Sequence, residues 1–201
     1  METETYTEEH KLKIVEEMLR AIGEDPNREG LKGTPERVVR MWKEIFRGYD
    51  KEQLPKVTVF NNGSDGVVYD QMINDDGTFY SQCEHHVIPF SGKYYFAYIP
   101  NTKGKILGLS KVARVVDYFS AKLQIQERLT HQIVKHIWNE ISVGEYGPIG
   151  MGLVMEGEHL CKTMRGVKKK GKMRTTVLYG AFKNEPETRQ EFLDWVNSNR
   201  T

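Results

Sequence analysis

Apolar positions near the start of the chain recur at helical spacing. Leu12, Val15, Met18, Leu19 and Ile22 stand three and four apart, which predicts an amphipathic helix stopped by Gly23. A polar, glycine-bearing stretch from Glu24 to Gly33 follows, so Asp25 to Glu36 reads as a linker between two helices. In Thr34-Pro35-Glu36 a hydroxyl stands where an N-cap belongs, with proline at the first helical position. Val38, Trp42, Ile45 and Phe46 form the expected buried face of this second helix, and Gly48 its stop. From Lys56 the pattern changes to short runs rich in β-branched and aromatic residues. Val57 to Phe60, Val67 to Ile73, Lys93 to Ile99, Gly152 to Glu156 and Thr175 to Phe182 are predicted strands. In the Lys93 run, Tyr94, Phe96 and Tyr98 alternate with Tyr95, Ala97 and Ile99, so both faces need a cover of helices or another subunit. Val112, Val116, Phe119 and Leu123 mark a helix opening at Ser110. Leu129, Ile133 and Ile137 mark another over Glu127 to Ile141, and Phe192, Trp195 and Val196 a last one after Pro186.

Length and charge narrow the class. With 201 residues, 38% hydrophobic and 28% charged, the chain can build one well-packed domain with an extension, but not two large ones. Lysine and arginine total 29 against 28 acids, so nothing global points to a nucleic acid or an acidic membrane as partner. Any polyanion must be met locally. The start, Met1-Glu2-Thr3-Glu4, lacks a basic leader, and no segment approaches about 18 uninterrupted apolar residues. A cytoplasmic location is therefore expected. The basic run Lys168-Lys169-Lys170-Gly171-Lys172 reads as a solvated hairpin tip.

Candidate chemistry begins with the two cysteines, which stand in two short histidine-bearing clusters, Cys83-Glu84-His85-His86 and Glu158-His159-Leu160-Cys161. Thiolates and imidazoles suit zinc, and a catalytic zinc needs three protein ligands with a fourth position open. Cys83, His86 and Cys161 could supply the three. His85 and His159 would then be free for acid-base work near neutral pH. Three other readings stand beside this one. The cysteines could form a disulfide, although nothing else suggests an oxidising compartment; they could be buried free thiols; or His85 or His159 could complete a structural site.

Two further stretches carry chemistry. Ser110-Lys111-Val112-Ala113-Arg114 opens a predicted helix with a hydroxyl and two cations, a phosphate site in outline that also reads as a routine serine cap. Arg165, four residues after Cys161, can bring a cation to the same cleft as a metal. In Gln126-Glu127 an amide and a carboxylate could accept from the adjacent N–H donors of a guanine or pterin edge, or Glu127 could simply be an acid favoured at a helix start. His10, His131 and His136 lack neighbouring chemistry and read as surface or helix-face residues.

Taken in order, these pieces closely resemble the GTP cyclohydrolase I family. The resemblance is carried by Cys83-Glu84-His85-His86, by Gly108-Leu109-Ser110-Lys111-Val112-Ala113-Arg114, by Gln124-Ile125-Gln126-Glu127-Arg128-Leu129-Thr130, and by Glu158-His159-Leu160-Cys161 through Arg165-Gly166-Val167. It runs from Gly33-Thr34-Pro35-Glu36-Arg37 to Pro186-Glu187-Thr188-Arg189. It implies an α+β tunnelling fold, an antiparallel sheet backed by helices, with residues 1–50 as an N-terminal helical region and 51–201 as the catalytic domain, together one structural unit. Self-association into a homodecamer of two rings, with active sites between subunits, is also implied. The implied reaction converts GTP and water to 7,8-dihydroneopterin triphosphate and formate, a step that opens tetrahydrofolate, biopterin and 7-deazaguanine routes.

Carried over residue by residue, Cys83, His86 and Cys161 would hold Zn2+, with His85, His159 and Ser110 moving protons. Gln126 and Glu127 would hold the guanine edge. Ser110, Lys111, Arg114 and Arg165 would surround ribose and triphosphate, and Lys56 would reach in from an adjacent subunit. Two stretches depart from the family pattern: the long, glycine-rich Ser142 to Gly152, and the segment after Val167, with Lys172-Met173-Arg174-Thr175-Thr176 in place of a Ser/Thr-rich strand and one residue shorter. No long N-terminal extension of the kind associated with a regulatory partner is present, so such control is not expected. The nearest rival is another tunnelling-fold enzyme acting on a pterin or another purine, against which the complete Cys, His, Cys set with His85 and His159 argues; a ring-forming binding protein stapled by zinc is the non-enzymatic one.

Overall fold

The computed structural model describes residues 6–108, 110–142 and 144–200. Leu109 of the Gly108 to Arg114 motif, Val143 of the glycine-rich stretch, and the Met1-Glu2-Thr3-Glu4 start lie outside the described residues. Contacts divide the chain into two compact units, with the break between Arg47 and Gly48.

The first unit holds two helices. Helix α1 (Glu8–Ala21) is capped by Thr7, whose hydroxyl accepts from the His10 amide at 3.2 Å, and Glu8 and Glu9 occupy its first turn. Both features favour the positive end of the helix dipole. Val15 and Leu19 of the predicted stripe are buried, whereas Met18 and Ile22 are exposed. Helix α2 (Thr34–Ile45) begins one residue before the expected start, with Gly33 as its N-cap. The Thr34 amide already donates to the Leu31 carbonyl at 2.8 Å, which draws Thr34 into the first turn instead of leaving it outside as a cap. Pro35 and Val39 form the buried line of α2, flanked by half-buried Val38, Trp42, Ile45 and Phe46. Lys43 of α2 reaches Glu8 of α1 at 2.8 Å.

The second unit is built on strands. In chain order its elements are β1 (Val59–Asn61), β2 (Ile73–Cys83), β3 (Ile88–Ile99), β4 (Lys105–Leu107), α3 (Lys111–Ser120), β5 (Leu123–Gln124), α4 (Gln126–Ile141), β6 (Gly150–His159), α5 (Leu160–Thr163), β7 (Lys172–Gly180), α6 (Ala181–Asn184) and α7 (Pro186–Ser198). One sheet has the order β5-β2-β3-β6-β7, and β1 pairs with β4 separately. All the long strands are antiparallel; only the short β5 runs parallel to its neighbour, β2. This is the α+β make-up, an antiparallel sheet backed by helices, that a tunnelling fold implies. None of the described helices is long and apolar enough to cross a membrane.

Three expectations need correction. The predicted strand over Val67 to Ile73 is irregular until Ile73, and the real strand, β2, occupies the polar stretch that follows. There Asp75, Gly77, Phe79, Ser81 and Cys83 turn inward while Asn74, Asp76, Thr78 and Tyr80 face out, an alternation that the inward polar residues disguise. Leu123 belongs to β5 and not to the helix before it, because α3 ends at Ser120. The predicted Thr175 to Phe182 strand stops at Gly180, and Ala181 and Phe182 enter α6. The shortened segment after Val167 keeps its pairing, with unbroken register from Glu158 opposite Lys172 to Gly150 opposite Gly180.

Both faces of β3 are covered by helices or neighbouring strands. Tyr94, Phe96 and Tyr98 join Met151, Leu153 and Met155 beneath Val112 and Val116 of α3 and Leu129, Ile133 and Ile137 of α4. Tyr95, Ala97 and Val154 lie on the opposite face under Phe182, Phe192 and Val196. Each of these larger side chains contributes about 1.5–3 kcal/mol when fully buried. On β6, Glu156 is 3% exposed and is matched by two cations, Arg200 at 2.5 Å and Arg174 at 3.8 Å.

The junction of β7 and α6 depends on one glycine. Gly180 has φ 57° and ψ −134°, and a Cβ there would lie 2.2 Å from the Ile149 carbonyl oxygen. Gly180→Ala is therefore expected to lose about 1–3 kcal/mol from backbone strain alone, with the clash adding to it. A fall in the urea midpoint at unchanged slope would show this; an unchanged midpoint would mean that the turn relaxes freely.

Candidate active site

Strand order brings the two cysteine clusters together. Because β3 lies between β2 and β6, the β2–β3 turn and the far end of β6 sit at the same end of the sheet. Cys83, the last residue of β2, pairs with Ile88 and Gln124, while Phe90 stands opposite His159. The intervening turn closes with the Val87 amide donating to the Cys83 carbonyl at 2.8 Å. It holds Val87 at φ 54°, a conformation that a β-branched residue adopts only when its surroundings impose it. Helix α5 starts immediately after β6 and carries Cys161 to within 3.8 Å of the Cys83 sulfur. Both thiols are free. Ligand atoms of Cys83, His159 and Cys161 all lie within 4.8 Å of one another, so this group could hold a metal ion.

The histidines differ in surroundings. His159 stacks on Phe90, with ring centroids 4.3 Å apart and planes at 7°. Its Nε2 lies 3.1 Å from the Gln126 Oε1. Burial pushes the His159 imidazole below the usual histidine range, opposed by the negative charge of Glu127. His85 is exposed, with Nδ1 3.6 Å from the Cys83 sulfur. His86 is also exposed, and its Nε2 is met by the guanidinium of Arg165. Burial, and next the Cys83 sulfur, push the Cys161 thiol up, so a nearby cation is needed to hold it as a thiolate.

Gln126, expected at a ligand's edge, is fully buried. Its Nε2 lies within hydrogen-bond reach of the Met155 and Met173 carbonyls, each at 3.0 Å, and of the Thr175 hydroxyl at 3.1 Å. The amide therefore ties α4 to β6 and β7 and turns its oxygen to His159. Gly157 leaves the space for this, since a Cβ there would come within 2.5 Å of that oxygen. Glu127, the next residue, is exposed in the first turn of α4.

The remaining predicted residues gather elsewhere. Ser110 precedes α3 but makes no side-chain cap bond, and Lys111 and Arg114 follow in the first turns. Val112 and Gly108 line an apolar cavity of about 320 Å³ with Ile73 and Asp75, at the start of β2. At the other end of α3, the Ser120 carbonyl accepts from the Ser81 hydroxyl at 2.8 Å, two residues from Cys83. The length of α3, about 15 Å at 1.5 Å per residue, thus separates these cations from the end of the sheet that carries the thiols. Lys56 goes with the cations, because the nearby Thr58 carbonyl accepts from the Gly108 amide at 3.0 Å.

A model of the GTP cyclohydrolase I family matches residues 12–197. GTP cyclohydrolase 1 of Pseudoalteromonas translucida is 45% identical over 90% of this chain and 94% of its own length. The corresponding protein of Caldanaerobacter subterraneus is 46% identical over 94% and 96%, and that of Leptospira biflexa 44% over 92% and 97%. A solved archaeosine synthase QueF-Like structure in the apo form aligns with 54% of this chain and 93% of that one, at a TM-score of 0.42 and 13% identity, a likeness too slight to build on.

The paired thiols make a spectroscopic prediction. Adding Co2+ to the reduced protein should produce a thiolate-to-metal charge-transfer band, and Cys83→Ser and Cys161→Ser should each weaken it sharply. A band of full intensity in both variants would show that the metal binds elsewhere.

Proposed function

The chain belongs to the GTP cyclohydrolase I family, and we propose that it hydrolyses GTP to formate and 7,8-dihydroneopterin triphosphate at a zinc centre on Cys83 and Cys161. The observation that carries this reading is the pair of thiols 3.8 Å apart, with His85 and His159 beside them. Two sulfurs bound at about 2.3 Å to a tetrahedral zinc stand about 3.8 Å from each other. The donor set therefore fits the ion. His86 is the third ligand in this reading. Its exposed ring can turn from Arg165, whereas His159 is fixed by Phe90 and Gln126.

When bound, zinc supplies a Lewis acid that makes water a competent nucleophile near neutral pH. His85 gives a proton to N7 of the purine, which makes C8 electrophilic. Glu127 accepts from the N–H donors of the guanine edge, with Gln126 behind it holding the His159 ring. His159, whose imidazole burial pushes below the usual histidine range, passes protons in the later steps, and the Ser110 hydroxyl assists as the ribose opens. Two waters are consumed in opening the ring and releasing formate. One is returned when the rearranged ribose condenses with the freed amine, so the net reaction uses one.

The same reading includes a homo-oligomer, a decamer by family resemblance, because one chain divides its residues between two ends of α3. The Cys83 end carries the base and proton groups. The Ser110 end carries Lys56, Lys111 and Arg114, the cations for a triphosphate. A second copy supplies the missing half, and Arg165 meets the phosphates from the Cys83 side.

Zinc-loaded protein incubated with GTP should release formate with matching fluorescence of oxidised neopterin; no formate would sink the reading. His86→Ala should lose zinc, whereas His159→Ala should keep zinc and lose turnover. The opposite pattern would make His159 the third ligand. Glu127→Ala and Lys111→Ala, each nearly inactive alone, should regain part of the activity when co-assembled, since mixed sites combine intact halves. Failure of co-assembled chains to recover would mean that each site draws on one chain only.

A further inference from the structure

Arg128 lies one residue beyond Glu127 and takes three acceptors from two other segments. Its Nε donates to the Gln124 Oε1 at 2.9 Å, one Nη donates to the Leu123 carbonyl at 3.2 Å, and the same end of the fork pairs with the Glu84 carboxylate. Glu84 stands between Cys83 and His85, and its own amide donates to the Gln124 carbonyl at 3.0 Å. Gln124 is fully buried and donates to the Phe119 carbonyl and the Gln132 Oε1, each at 2.9 Å. It is thus anchored to the last turn of α3 and to the body of α4. Both the backbone and the side chain of Glu84 are tied to that anchor.

We propose that Arg128 is a positioning residue that sets the Cys83–His86 turn at a fixed distance from the start of α4, and so aligns His85 with a base held by Glu127. The proposal rests on the functional reading given above. Glu84 and Arg128 are each more than a third exposed along their side chains, so their ion pair adds little to stability. Its value lies in geometry. A planar guanidinium can meet a carboxylate, an amide oxygen and a carbonyl together, whereas a lysine ammonium offers the same charge at one point. Misplacing a reacting group by about 1 Å can cost on the order of 100-fold in rate even where binding is intact. Arg128 therefore acts on turnover through the turn, without touching substrate or metal.

The test uses the zinc-loaded assembly with Arg128→Lys, Glu84→Gln and the double variant. Each single variant should keep its zinc and its KM within about twofold while kcat falls about tenfold or more. The double variant should be no worse than the worse single, because both remove one interaction. Deuterium exchange at the Glu84 amide should quicken in Arg128→Lys. An unchanged kcat, losses that multiply in the double variant, or an equally protected Glu84 amide would each overturn the proposal. Wild-type protein that releases no formate from GTP would instead sink the functional reading, leaving exchange at the Glu84 amide to judge the clamp.

Discussion

The register of β3 against its two long neighbours is the constraint on which the site depends. β3 pairs with β2 from Ile88 opposite Cys83, and with β6 from Phe90 opposite His159. A slip of one residue in either ladder would turn Tyr94, Phe96 and Tyr98 to the wrong face. It would also move one cysteine cluster away from the other. Because β3 is aromatic or apolar on both faces, a slip would expose large side chains on two layers at once. The packing that stabilises the sheet is therefore also what holds two sulfurs at metal-binding separation.

Periodicity exposes much of this fold to a reader of the sequence. The helices with clear apolar stripes lie close to their expected places, and β3 announces its two covered faces. β2 does not, because Asp75, Gly77 and Ser81 point inward and erase the alternation; its stability comes from pairing, which spacing cannot report. The turn at Gly180 and the early start of α2 are settled by single backbone contacts. At the candidate site, residue types were legible as motifs, and the expected meeting of the two cysteine clusters rested on metal-ligand chemistry and family resemblance. That Cys83 and Cys161 approach one another follows from strand order, and nothing in their spacing encodes it. Phe90 was missed for the same reason, since only the β3–β6 register sets it against His159. Gln126 shows the reverse problem: a polar residue in a motif suggests a ligand contact, yet here its amide is turned into the sheet.

Helix α3 acts as a spacer between two kinds of chemistry. One of its ends meets the sheet near the thiols and imidazoles, and the other presents Ser110, Lys111 and Arg114. A chain whose formal charge is only +1 can still offer a concentrated positive end, because charge is sorted in space and not by total. In the proposed reading, two demands that conflict at short range, a metal cation and cations for a polyanion, would be met in different places on the chain.

Glu156 gives the end of the chain an unexpected weight. This carboxylate is nearly closed off from water on β6, and the nearer of its two cations, Arg200, lies just beyond α7. Losing Arg200 would leave the buried Glu156 carboxylate with Arg174 at 3.8 Å as its remaining cation, and a poorly paired charge in the interior is destabilising. Trimming even a few residues there, or displacing them with a fused affinity handle, would act on the core itself. Arg200 is part of the charge balance of the sheet.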